Sequence, residues 1–101
     1  MIPELQQKRP AVAGLCRRFR VRRLEIFGSA SGRGFRPEDS DLDFLVEFEP
    51  SAGPGYADRY FGLLESLSEL FARPIDLVVA SAIENPYLLE SVERTKTPVY
   101  P

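Results

Sequence analysis

The segment from Asp41 to Phe48 restricts the fold of this chain more than any other stretch. Asp41 and Asp43 occupy alternate positions, and the positions between and beyond them are apolar: Leu42, Phe44, Val46 and Phe48. Successive side chains of a β-strand point to opposite faces of a sheet. The segment therefore predicts a strand with one apolar face turned to a core and two carboxylates on its other face.

Segments typical of strands alternate along the chain with segments that have helical periodicity. We expect strands at 24–27, 41–48 and 75–79, and a short edge strand at 97–100. We expect helices at about 10–19, at about 56–72, and from Pro86 onward with Asn85 as the cap. This alternation predicts an α/β fold, a small mixed β-sheet flanked by helices, in a single domain spanning residues 1–101.

Three groups of residues within these elements receive structural interpretations. Tyr60 and Phe61 belong to the apolar repeat of the 56–72 helix, so we expect them in the core. Cys16 lies on the apolar stripe of the first helix and is expected to be a small core residue rather than a reactive thiol. The basic run Arg17–Arg23 is interpreted mainly as a solvated helix end, with an acidic partner or phosphate contact left open.

Composition excludes several classes of function. The chain has no histidine, which rules out Ser-His-Asp and Cys-His catalysis and histidine-based zinc sites. A net charge of −2 argues against a protein that coats nucleic acid, so direct nucleic-acid binding is not expected. One cysteine, no apolar signal segment and no apolar stretch near ~18 residues favour a cytoplasmic protein without a membrane span.

The acidic residues predict a metal and nucleotide site. Asp76 interrupts the apolar strand 75–79, and it would meet Asp41 and Asp43 on one sheet face if their strands were neighbours. Carboxylates combined with substrate phosphates suit Mg²⁺. Gly28 lets the backbone approach a phosphate closely, and Ser29 can offer a hydroxyl and an amide to it.

Other phosphate and metal motifs do not fit the chain. The glycines at 28, 32 and 34 lack the order of a dinucleotide-binding loop, and no P-loop lysine follows them. A calcium loop beginning at Asp39 would need glycine where Phe44 stands and glutamate where Pro50 stands. The catalytic interpretation of the glycine, serine and aspartates therefore has no close competitor among these motifs.

These residues resemble a known family. Gly28-Ser29, eleven intervening residues, Asp41-Leu42-Asp43 and a later in-strand Asp76 are similar to the signature of polymerase-β-type nucleotidyltransferases. The chain more closely resembles minimal nucleotidyltransferase (MNT) domains, the MntA-like antitoxins paired with HEPN-domain toxins. Members often carry an arginine directly after Gly-Ser; here that position is Ala30, and Arg33 is among the nearest substitutes.

The resemblance implies a nucleotidyltransferase (polymerase-β-like) fold and a role for each site residue. Asp41 and Asp43 would hold Mg²⁺ against the triphosphate of ATP, and Asp76 would complete the metal site and act as the base. The phosphates would be bound by Gly28 and Ser29, together with Arg33. The acceptor would be a tyrosine of a cognate HEPN toxin, which would receive AMP and form a hetero-oligomer with this chain.

Chain length independently favours a protein acceptor. Only about 25 residues follow Asp76, too few for a domain that binds an acceptor. The leading hypothesis is an Mg²⁺-dependent protein adenylyltransferase that acts as an antitoxin. Two alternatives stay open: an antitoxin that masks its partner without catalysis, and a catalytic subunit that adds nucleotides to a small molecule or RNA.

Overall fold

The computed structural model describes residues 3–28, 41–50 and 55–101. Its helices are α1 (Pro3–Gln7), α2 (Arg9–Arg18), α3 (Tyr56–Phe71) and α4 (Pro86–Thr95). Its strands are β1 (Val21–Phe27), β2 (Leu42–Phe48), β3 (Ile75–Val79) and β4 (Thr97–Tyr100). This order confirms the predicted α/β class and all four expected strands.

The four strands form one mixed sheet in the order β3-β2-β1-β4. β1 runs antiparallel to both β2 and β4, whereas β2 and β3 are parallel. The expectation that the strands carrying Asp43 and Asp76 are neighbours is therefore confirmed.

Two apolar clusters cover the two faces of the sheet. The large core lies on the face covered by α1, α2 and α3, and its fully buried members include Leu5, Val12, Cys16, Leu24, Ile26, Leu42, Phe44, Val46, Leu63 and Leu67. The small core lies on the opposite face under α4 and consists of Phe27, Leu45 and Val92, with Val78, Ala80 and Ile83 packed against it. The apolar face predicted for β2 is thus the one that faces the large core.

The N-terminal part of the chain differs from the sequence-based prediction in two respects. A break at Lys8 separates α1 from α2, and Pro10 lies in the first turn of α2, where its missing N–H costs no helical hydrogen bond. β1 begins at Val21 rather than Leu24, so the end of the basic run belongs to a strand. An irregularity between Val21 and Arg23 leaves Arg22 and Arg23 exposed.

These two arginines have a partner on the neighbouring strand. The Arg23 Nη2 atom lies 2.7 Å from Glu47 Oε2, and the Arg22 Nη1 atom lies 3.4 Å from Glu47 Oε1. The interpretation of the whole basic run as a helix end was therefore wrong for Arg22 and Arg23. The ion pairs depend on the β1–β2 register, which a local pattern does not reveal.

Several predictions about single side chains were tested as well. Cys16 is buried, which raises the pKa of its thiol to about 12 and confirms it as a core residue. The side chain of Asn85 caps α4 by accepting hydrogen bonds from the N–H groups of Tyr87 and Leu88. Phe61 is 62% exposed, so its assignment to the core was wrong.

Among the described residues, no helix is both long enough and apolar enough to span a bilayer.

Candidate active site

Gly28 forms the turn that directly follows β1. Its φ angle is +74°, in the left-handed region that side chains rarely adopt. A Cβ atom at this position would lie 2.8 Å from Asp43 Oδ2. Glycine is therefore required both for the backbone conformation and for the close approach of the turn to the Asp43 carboxylate.

Asp43 and Asp76 lie side by side on β2 and β3. They are direct partners in the parallel register, and neighbouring strands are about 4.8 Å apart. Both side chains thus project from the sheet face that carries the small core. Asp41 lies one residue before β2 and is exposed, as is Asp76, whereas Asp43 is partly buried.

The surroundings of Asp43 disfavour its charged form. Burial raises the pKa of the Asp43 carboxyl above its usual range, and the negative charges of Asp76 and Asp41 raise it further. Asp43 is therefore close enough to both Asp76 and Asp41 for their charges to repel its own. A cation or a bound proton at this position would relieve that repulsion.

The donor set fits a magnesium ion that arrives with a nucleotide. Within the described ranges, no three acidic, cysteine or histidine side chains form a ready-made metal cluster. Mg²⁺ does not need one, since it is commonly held by one or two carboxylates together with phosphate oxygens and waters. Carboxylate oxygens on Asp43 and its neighbours are the appropriate hard ligands.

Two of the predicted phosphate-binding residues, Ser29 and Arg33, lie outside the described residues, as does the helical turn predicted after Ser29. Their roles stay predictions. The described part of the predicted site therefore consists of Gly28, Asp41, Asp43 and Asp76.

Two hydroxyl groups that received no role at the site from the sequence make hydrogen bonds beside it, and one of them belongs to Tyr60, which packs against the large core as expected. The Gly28 N–H donates a hydrogen bond of 3.0 Å to Thr95 Oγ1, at the last residue of α4. The Tyr60 hydroxyl of α3 donates a hydrogen bond of 2.5 Å to the backbone carbonyl of Leu77, the residue after Asp76. Sequence separations of 67 and 17 residues explain why no local pattern indicated these contacts.

Tyr60 also lies within electrostatic reach of the site. Burial raises the pKa of its phenol most, and the negative charge of Asp76 raises that pKa further. Tyr56 raises it by a smaller amount. The Tyr60 hydroxyl thus stays protonated and continues to donate to the Leu77 carbonyl. This contact fixes α3 to β3 beside Asp76.

A large surface cavity lies away from these groups. It has a volume of about 600 Å³ and lies between α2 and β4, where Arg9, Pro10, Val99 and Tyr100 contribute to its lining. None of the described site residues, Gly28, Asp41, Asp43 and Asp76, lines it. We locate the candidate active site at the Gly28 turn and the paired aspartates, because charge and geometry converge there.

Comparison with known proteins shows the family of the chain. The family model described as "Nucleotidyltransferase domain" matches residues 10–97, which include every described residue of the candidate site. A protein of Methanocaldococcus jannaschii assigned as a protein adenylyltransferase is 41% identical over 76 residues, covering 75% of this chain and 74% of the relative.

Solved structures show the same fold. A structure assigned as a minimal nucleotidyltransferase aligns with a TM-score of 0.75 at 35% identity, covering 93% of this chain and 91% of its own. The MNT antitoxin complexed with the tri-AMPylated HEPN toxin of Shewanella oneidensis aligns with a TM-score of 0.64 at 18% identity, covering 94% and 71%. With paired aspartates beside a glycine turn, and a family model that spans most of its length, this chain belongs to the nucleotidyltransferase domain family.

Proposed function

We propose that this protein is an Mg²⁺-dependent protein adenylyltransferase that transfers AMP from ATP to a tyrosine of a HEPN-domain toxin. It acts as the antitoxin in a cytoplasmic complex with that toxin. The observation that carries the proposal is the pairing of Asp43 with Asp76 on adjacent parallel strands, with the Gly28 turn against the Asp43 carboxylate. The name of the Methanocaldococcus relative and the AMPylated toxin in the Shewanella complex support it.

Some residues of the site are proposed to bind the nucleotide, and another is proposed to activate the acceptor. Asp41 and Asp43 would hold the magnesium ion, which when bound neutralises phosphate charge and favours departure of the leaving group. Gly28 has a positive φ and no side chain, so its backbone would be able to approach the phosphates closely. Ser29 is proposed to donate to phosphate oxygens, and Arg33 to contribute positive charge.

Asp76 is proposed to act as the base that takes the proton of the acceptor hydroxyl. Its side chain is exposed, so a hydroxyl presented by another protein can reach it. The tyrosine oxygen forms a bond to the α-phosphorus as its proton passes to the Asp76 carboxylate. The bond between the α-phosphorus and its bridging oxygen breaks, and pyrophosphate leaves.

The test is transfer of label from α-³²P-ATP. The wild-type protein with Mg²⁺ and the HEPN protein encoded beside it is expected to label a tyrosine of that protein and to release one pyrophosphate for each AMP. The Asp41→Asn/Asp43→Asn double variant is expected to lose at least about 99% of the transfer, since a metal that stabilises developing charge typically contributes several kcal/mol and its ligands would be gone. Wild-type protein that leaves the partner unlabelled would contradict the proposal.

The same assay separates the alternatives. A double aspartate variant that still protects cells from the toxin would indicate an antitoxin that masks its partner without catalysis. ATP turnover onto a small molecule or RNA in the absence of a protein partner would indicate the third hypothesis.

A further inference from the structure

The Thr95 hydroxyl makes two hydrogen bonds with different directions. It donates a bond of 2.8 Å to the carbonyl of Ser91, one turn earlier in α4. Because its proton is engaged there, its lone pairs are left to accept, and the Gly28 N–H donates to it at 3.0 Å. The hydroxyl is therefore oriented by the helix before it meets the turn.

The position of Thr95 is determined by the elements on both sides of it. Three residues earlier, Val92 is almost completely buried against Phe27 and Leu45, which attaches α4 to the sheet. Two residues later, Thr97 pairs with Ile26 of β1. Thr95 is thus fixed on both sides to the strand that ends at Gly28.

The Gly28 turn needs an external support of this kind. A glycine has no side chain to restrict its backbone, so a left-handed turn is easily lost to other conformations. At this position a rotation would also change the close approach between Gly28 and Asp43 Oδ2. The hydrogen bond from the Gly28 N–H to Thr95 Oγ1 opposes that rotation.

We propose that Thr95 is a positioning residue that holds the Gly28 turn in the geometry needed to receive the nucleotide phosphates. Thr95 acts through Gly28 and is not itself a catalytic residue. This inference rests on the proposed nucleotidyl transfer, but the structural part can be measured independently of transfer.

The experiment compares three variants of the full chain. Thr95→Val keeps the branched shape and removes the hydroxyl, whereas Thr95→Ser keeps the hydroxyl. Thr97→Val is the matched control, because the Thr97 hydroxyl donates to the Thr95 carbonyl in the same junction.

For Thr95→Val, we expect kcat/KM for ATP in the labelling assay to fall about tenfold or more, the size of effect produced by the loss of one well-placed interaction. Hydrogen-exchange protection of the Gly28 amide, followed by NMR, should fall by a similar factor. Thr95→Ser and Thr97→Val should stay within about twofold of wild type in both measurements.

The outcomes are distinct. Unchanged Gly28 protection in Thr95→Val would overturn the proposal, as would a loss in Thr95→Ser equal to that in Thr95→Val. Weakened protection with unchanged kcat and KM would overturn the positioning role. If the wild type transfers no AMP, the proposed function fails. The affinity of the same variants for ATP with Mg²⁺, measured by calorimetry, then tests the role of Thr95. Equal affinities in Thr95→Val and wild type would overturn that role.

Discussion

The two faces of the sheet differ in both packing and chemistry. One face carries the large core, with three helices packed on it and many side chains fully buried. Within the described part of the chain, the other carries the small core under α4, together with Asp43, Asp76 and the Gly28 turn. Apolar burial stabilises the fold, whereas neighbouring carboxylates oppose it. The comparison indicates that the large core supplies the stability that allows the other face to hold a reactive site.

The largest expected loss of stability comes from truncating a side chain of the large core. Leu67→Ala removes a fully buried side chain and leaves a cavity, so the free energy of unfolding should fall by about 3–4 kcal/mol. Urea denaturation followed by circular dichroism measures this loss. A loss below about 1 kcal/mol would contradict the conclusion that the large core supplies most of the stability.

The equivalent truncation on the small core should cost less. Val92→Ala removes two buried methyl groups and should lower the free energy of unfolding by about 2 kcal/mol. The same urea titration, run beside Leu67→Ala, makes the comparison direct. Equal losses in the two variants would show that the faces contribute alike.

The turn at the site should be less important still for stability. Gly28→Ala places a Cβ on a residue with φ of +74°, which costs about 1–2 kcal/mol of unfolding free energy. Activity should suffer more than stability, because the new methyl group would displace the Asp43 carboxylate. Paired measurements of Tm and AMP transfer check this; full activity would show that the approach of Gly28 to Asp43 is unimportant.

The smallest expected effect, that of Asp43→Asn, is an increase rather than a decrease in the free energy of unfolding. The folded state raises the pKa of Asp43, so the ionised carboxylate destabilises the fold at neutral pH, and Asp43→Asn should stabilise the metal-free protein. The gain should be below about 1 kcal/mol, since solvent screens a partly exposed charge. It should shrink as the pH falls through the raised pKa of Asp43 toward the unfolded value near ~4, where both forms become neutral.

Thermal unfolding of wild type and Asp43→Asn in EDTA between pH 7 and pH 4 tests this last expectation. A variant that is less stable than wild type at pH 7 would show that the Asp43 carboxylate supports the fold. Asp43→Asn should nevertheless abolish AMP transfer, which would separate stability from function at a single residue.

Much of the fold could be predicted because its signals are local. The alternation in β2 and the proline that follows Asn85 at the start of α4 depend on residues only a few positions apart. The likeness of Asp43 and Asp76 to a family signature also pointed to one site. The structure then brought these two aspartates into register on adjacent strands.

By itself, therefore, the sequence determined most of the strands and helices and the apolar face of β2, and it indicated the residues of the candidate site. Only the tertiary structure decided that Glu47 pairs with Arg22 and Arg23, that Phe61 faces solvent, and that the Thr95 hydroxyl accepts a hydrogen bond from the Gly28 N–H. Secondary structure follows from short-range sterics and periodicity, whereas these contacts join residues that are distant in the chain or depend on which helix face meets the sheet. The Gly28 turn illustrates both contributions: its glycine is visible in the sequence, and the hydroxyl that supports it is supplied by packing.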